Sequence, residues 1–190
     1  MRKLSFIAAA VTFTASTALA QATLRANPSG RGIAEVVLNY PAGTAPAGAQ
    51  PAVIRVDYGQ PHLRGRRLHT DSLVPYNRAW RTGANALTTF RTDVDLTIGG
   101  GALPKGTYAV FTLPTAAGWT LIFQKNENQS ATEYTTALDV LRIDLRRRVR
   151  TDPIESLTFW LIPATATGAQ RGELRFAWGT AELSTDWMVR

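Results

Sequence analysis

The chain contains no cysteine. Disulfides, thiol nucleophiles, cysteine-ligated zinc and a lipid-modified cysteine are excluded at once. An oxidising compartment permits disulfides without requiring them, so this absence does not argue against export. Histidine is nearly as scarce, with only His62 and His69. No Gly-x-Ser-x-Gly string occurs, so the elbow that exposes a serine nucleophile is missing. Ser72 follows Asp71, but that pairing has no catalytic spacing behind it. Beyond the first 20 residues no apolar run approaches the roughly 20 residues needed to cross a bilayer as a helix. No segment sustains a 3.6-residue apolar stripe, which removes long amphipathic helices.

The N-terminus carries the pattern of a secretory signal peptide over residues 1–20. Arg2 and Lys3 precede an apolar run at 4–13, and Ala18-Leu19-Ala20 is a small-x-small cleavage signal before Gln21. Thr12, Thr14, Ser16 and Thr17 dilute the run and disfavour a permanent anchor. Cleavage would leave 170 residues with 19 Lys and Arg against 14 Asp and Glu, a charge of +5. The expected location is outside the cytoplasm, periplasmic or secreted, with no membrane span after cleavage. Such a length suits one domain with a sizeable core. The basic balance is moderate and serves solubility. Arg146, Arg147, Arg148 and Arg150 form the densest charge run, but no aromatics interleave with them for base stacking. No specific nucleic-acid binding is expected, and the run reads as a solvated loop.

Residues 21–32 are polar and carry Pro28, Gly30 and Gly32, as a flexible N-terminal segment would. From 33 to 190 the chain reads as one domain. Alternation marks strands at 33–40, 52–58, 88–92 and 94–98. The runs at 107–113 and 119–124, joined by 114–118, form the clearest hairpin. Further strands are expected at 139–145, 157–162, 173–178 and 180–189, with a polar surface excursion at 125–136. About nine or ten short strands with regular turn signals predict an all-β fold: a single antiparallel β-sandwich, jelly-roll-like or a partly closed barrel, with little helix. A membrane barrel is disfavoured because 119–123 and 157–162 fall short of the roughly 9–11 residues a crossing strand needs.

Little in the chain carries a catalytic signature, and no catalytic residue is assigned. His62 and His69 with Asp57 and Asp71 are weak metal candidates, since their spacing matches no ligand pattern and Arg64, Arg66 and Arg67 would repel a cation. Asp93, Asp95, Glu155 and Glu173 could supply paired carboxylates, but Asp93 and Asp95 share the polar face of their strand. Gly99-Gly100-Gly101 lacks the following helix of a phosphate-binding loop and reads as a turn. Asn128-Gln129-Ser130 fits the glycosylation pattern, relevant only in a eukaryotic secretory pathway. Of the five tryptophans, Trp119, Trp160 and Trp178 fall in apolar strands and are expected in the core. Trp80 differs: it lies in an irregular stretch with Arg78, Arg81 and Asn85 close by.

Several strings resemble one family when taken together. These are Val56-Asp57-Tyr58 leading to Pro61, Gly65-Arg66, Leu73-Val74-Pro75-Tyr76 and Trp80-Arg81-Thr82-Gly83-Ala84-Asn85. Leu103-Pro104-x-Gly106-Thr107-Tyr108 and Asp139-Val140-Leu141-Arg142 are similar to it too. The family is the bacterial domain of unknown function numbered 2911, and the similarity runs over roughly 54–178. The resemblance implies an exported bacterial β-domain, but no reaction and no cofactor. Its members often carry Glu directly after the Asn of the Trp80–Asn85 string, where this chain has Ala86.

Three expectations follow. The first is a non-catalytic module binding a small molecule, glycan or protein through Arg66, Tyr76, Arg78, Trp80, Arg81 and Asn85. The second is an envelope hydrolase or metal-dependent enzyme using His62 or His69 with Asp57 or Asp71. The third is a structural module in which the Trp80 string fixes a crossover between sheets.

Overall fold

A computed structural model describes residues 27–125, 133–166, 168 and 170–190. The segment 1–20, expected to be a signal peptide, and the Asn128-Gln129-Ser130 string lie outside the described residues. Among the described residues nine strands form one antiparallel sheet that is not closed into a barrel, and the helical content is one 3-10 turn at Thr136–Leu138. In chain order the strands are β1 (Arg31–Leu38), β2 (Ala52–Gly59), β3 (Thr89–Thr92), β4 (Leu96–Ile98), β5 (Gly101–Leu103), β6 (Gly106–Pro114), β7 (Trp119–Lys125), β8 (Asp139–Pro163) and β9 (Arg171–Val189). They lie across the sheet as β1-β2-β3-β6-β7-β8-β9-β4-β5.

The period-2 patterns place the core where alternation predicts. In β2, Ile54, Val56 and Tyr58 are buried, and β9 buries Leu174, Phe176 and Trp178. The hairpin of β6 and β7 is in register from Tyr108 opposite Lys125 to Pro114 opposite Trp119. The sheet folds over its own core. Tyr58 of β2 lies 4.7 Å from Phe159 of β8, centroid to centroid, and its hydroxyl accepts from the Phe159 N–H at 3.3 Å. Beyond β2 the chain bonds β8 directly, Leu63 N to Glu155 O at 2.8 Å and Leu157 N to Pro61 O at 3.0 Å.

Three expectations are corrected. The segments 139–145 and 157–162 are parts of one 25-residue strand, and 173–178 and 180–189 parts of one of 19 residues. Both exceed the length of a membrane-crossing strand, so length does not argue against a membrane barrel, but the sheet is not closed into one. Among the described residues no helix is long and apolar enough to cross a membrane.

The second correction explains the first. The arginine run is not a loop but the middle of β8, opposite 181–184 of β9. Arg148 and Arg150 pair with Glu182, and Arg146 is held by both oxygens of Asp186 at 2.7 and 2.8 Å. Cross-strand carboxylates offset the repulsion that would otherwise discourage a strand of arginines. Bends are taken up by register shifts between Val149 and Thr158 and by Gly179 at φ +59. Third, Trp187 is fully buried near the C-terminus, whereas Trp160 is only partly buried.

Candidate functional site

The Trp80–Thr88 stretch interrupts a ladder. Thr89 of β3 lies opposite Ala109 of β6, a register that, if continued, would set Ala86 against Thr112. Trp80 occupies that place instead, bonded to Thr112 in both directions at 2.8 Å. Residues 81–86 are therefore looped out of the ladder. β6 is buried on both faces and reads as a continuous apolar run rather than an alternating one, and Tyr134 packs on Phe111 of its outer face. Leu87, Ala109, Phe111 and Ile122 make a second, smaller core, with Leu113 and Tyr134 packed against it.

The loop is fastened from inside. Thr82, Thr88 and Thr112 are all fully buried. The Thr82 hydroxyl lies 3.1 Å from both the Trp80 carbonyl, to which it donates, and Thr112 Oγ1. The Thr88 hydroxyl donates to Thr82 O at 3.0 Å. These bonds satisfy main-chain groups that the ladder would have paired. Thr82 and Asn85 adopt positive φ, +53 and +60, unusual for non-glycine residues and held here by the surrounding contacts. Gly59 and Gly83 allow the loop to press on β2, where Ala84 N donates to Gly59 O at 3.1 Å. A Cβ on Gly59 would overlap the Ala84 carbonyl.

On its other side the loop borders a cleft of about 350 Å³. Trp80, Arg81, Arg66, Phe111, Tyr134 and Trp178 are among its walls. The Trp80 and Trp178 rings stack at 5.6 Å and 18°. Trp178 Nε1 donates to Glu155 O at 3.1 Å, which settles its one polar group away from the ring face. No carboxylate lies among the described residues of the lining.

Of the six residues proposed from the sequence, Arg66, Trp80 and Arg81 meet at this cleft. Asn85 is exposed and donates through Nδ2 to the carbonyl of Ser29, a residue of the rim, at 3.2 Å. Tyr76 and Arg78 are exposed and outside the lining; Tyr76 stacks on His69 at 4.2 Å. The Trp80 string therefore has two sides, with the Thr82 hydroxyl facing the core and Trp80, Arg81 and Gly83 bordering the cleft. Sequence reasoning missed Phe111 and Tyr134 as wall residues; Trp178 is a core residue as expected and also reaches the lining. Trp178 was legible only as core because its alternation is that of a buried strand position, and the other two carried no signal.

The histidines do not meet a carboxylate among the described residues. His62 Nδ1 lies 2.6 Å from Ser156 Oγ, its direct cross-strand neighbour. His69 Nδ1 contacts the Val74 carbonyl at 3.1 Å, and its ring sits 5.5 Å from Trp119. Burial lowers the His69 pKa below the ordinary 6.5; the hydrogen bond to Val74 opposes the shift, and the positive charge of Arg147 adds to it. Asp57 pairs with Arg31 and Arg55, and Asp71 is exposed. Among the described residues no group of three His, Asp or Glu side chains is placed to hold a metal ion.

The other acids have structural partners. Asp93 accepts from Val53 N at 3.0 Å and pairs with Arg91, and Asp95 accepts from Lys105 N at 2.8 Å. Glu173 is held by Arg175, which lowers its pKa against the opposing effect of burial.

A family model described as "Protein of unknown function (DUF2911)" matches residues 41–186, a span that takes in β2 to β8, most of β9 and every wall of the cleft except Ser29. No curated protein and no solved structure matches the chain.

Proposed function

From the premise that the chain belongs to the DUF2911 family, we propose that it is an exported, non-catalytic β-domain that binds a small polar or anionic ligand in the cleft beside Trp80. The supporting observation is the chemistry of the lining: Arg66 and Arg81 bring guanidinium groups of one charge sign to it, and the half-buried indole of Trp80 supplies apolar area. Binding pockets pair a mostly apolar wall with a few placed polar groups, and the cleft lies at the low end of their usual range of about 300–1,000 Å³. The experiment is tryptophan fluorescence during titration with small sugars and organic anions. Saturable changes in the wild type that are lost in Arg81→Ala, with the variant still folded, support the reading; no response to any compound would refute it.

The leader-like segment 1–20 supports export. N-terminal sequencing of the protein from the cell envelope or medium should begin at Gln21. Recovery of intact protein in the cytoplasm alone would contradict that.

A further inference from the structure

The turn at 63–66 is built to present one side chain. Arg64 and Gly65 both have positive φ, +52 and +74, the conformation of a two-residue corner. The corner is tied to β8: Leu63 N donates to the Glu155 carbonyl at 2.8 Å, and Arg64 N to Glu155 Oε1 at 2.7 Å. Arg66 then folds back on the turn. Its main-chain N–H bonds Leu63 O at 3.0 Å, Nε bonds the same carbonyl at 2.8 Å, and Nη2 bonds His62 O at 2.7 Å.

Nε and Nη2 occupy one edge of the guanidinium plane. Committing them to main-chain carbonyls fixes the side chain before any ligand arrives. It leaves the Nη1–Nη2 end, whose two parallel N–H groups match the two oxygens of a carboxylate or phosphate. Nη1 contacts no group among the described residues, and Arg66 lines the cleft. Trp80 also lines the cleft; it is half-buried, stacked on the buried Trp178, and its indole is flat and apolar. Tyr134 is already engaged, its hydroxyl donating to Asp139 Oδ2 at 2.8 Å and accepting from Arg142 Nη1 at 2.7 Å.

We infer that the ligand of this cleft bears an oxyanion, received end-on by Arg66, joined to a flat apolar body that lies against Trp80. This rests on the reading of the cleft as a binding site and names the ligand class. The cleft volume suits one ring with one acidic group better than an extended polymer.

Benzoate, phenyl phosphate and benzamide test this by tryptophan fluorescence titration. The first two share the oxyanion and differ in its source; the third keeps the ring and shape without the charge. At least one of the anions should bind ten-fold or more tightly than benzamide, and added salt should weaken it. Arg66→Gln should abolish that preference while leaving benzamide affinity within two-fold. Arg66→Lys, which keeps the charge but not the fork, should restore only part of it and serves as the second variant if Arg66→Gln does not fold. Benzamide binding as tightly as both anions would overturn the oxyanion assignment and leave the cleft a binding site. No binding of any of the three would overturn this inference, and if sugars and other anions also fail, the binding reading falls with it.

Discussion

Thr82→Val tests whether the looped-out segment is fastened by its buried hydroxyls. The change keeps the volume of the side chain and removes one hydroxyl. Trp80 O loses the Thr82 donor but keeps its bond from Thr112 N. Thr112 Oγ1 fares worse, because Thr82 is its one partner among the described residues and both residues are fully buried. An unpaired hydroxyl in that position costs about 1–3 kcal/mol. The reverse change, Thr112→Val, leaves Thr82 bonded to Trp80 O, so only an ordinary bond of about 0.5–1.5 kcal/mol is lost. The double variant leaves no orphan and should cost less than the sum of the two, by about 0.5–3 kcal/mol of coupling. For a chain of this size each kcal/mol moves Tm by about 2–4 °C, so a loss near the middle of the Thr82→Val range lowers it by about 4–8 °C. Urea unfolding followed by tryptophan fluorescence gives all three free energies. If Thr112→Val costs as much as Thr82→Val, or the pair is additive within about 0.3 kcal/mol, the hydroxyls do not fasten the loop.

Two glycines separate steric from conformational demand. Gly59→Ala drives a methyl into the Ala84 carbonyl and should destabilise by about 3 kcal/mol, near the upper end for overpacking, whereas Gly65→Ala meets open space at φ +74 and should cost only about 1–2 kcal/mol. Equal losses in denaturant titration would contradict the close approach of the loop to β2. The third prediction concerns pH. His69 has a folded-state pKa below its ordinary 6.5, so the unfolded chain takes up the proton first, and stability present above about pH 6.5 is lost as pH falls from there toward the folded value. His69→Phe, which keeps a ring against Tyr76 and Trp119, should flatten Tm against pH below about 6.5; an unchanged slope would assign it to other groups.

Strand existence was legible because alternation survives wherever one face is buried and the other is not, as in β2 and β9. Strand length was not. Nothing between Leu145 and Leu157 looks like a strand until Glu182 and Asp186 stand opposite its arginines, and those carboxylates lie more than 30 residues away in sequence. The site was legible in part. Trp80, Arg81 and Arg66 stood out by residue type, and the structure brings them to one cleft. Tyr76 and Arg78 stood out equally and lie elsewhere, since proximity in sequence does not fix direction along an irregular segment.

The sequence by itself determined the all-β class, the absence of thiol chemistry, the membership of a family and the stretch around which the fold is irregular. All of these depend on composition, on short-range periodicity or on contiguous strings. Only the tertiary structure decided what that stretch is. Trp80 takes the place in the ladder that Ala86 would have held, so the Thr82 hydroxyl turns inward as a fastening while Trp80 and Arg81 border a cleft completed by the turn at Arg66 and by Trp178 of the last strand. The division follows from strand register, a relation between residues far apart in the chain that no local pattern records.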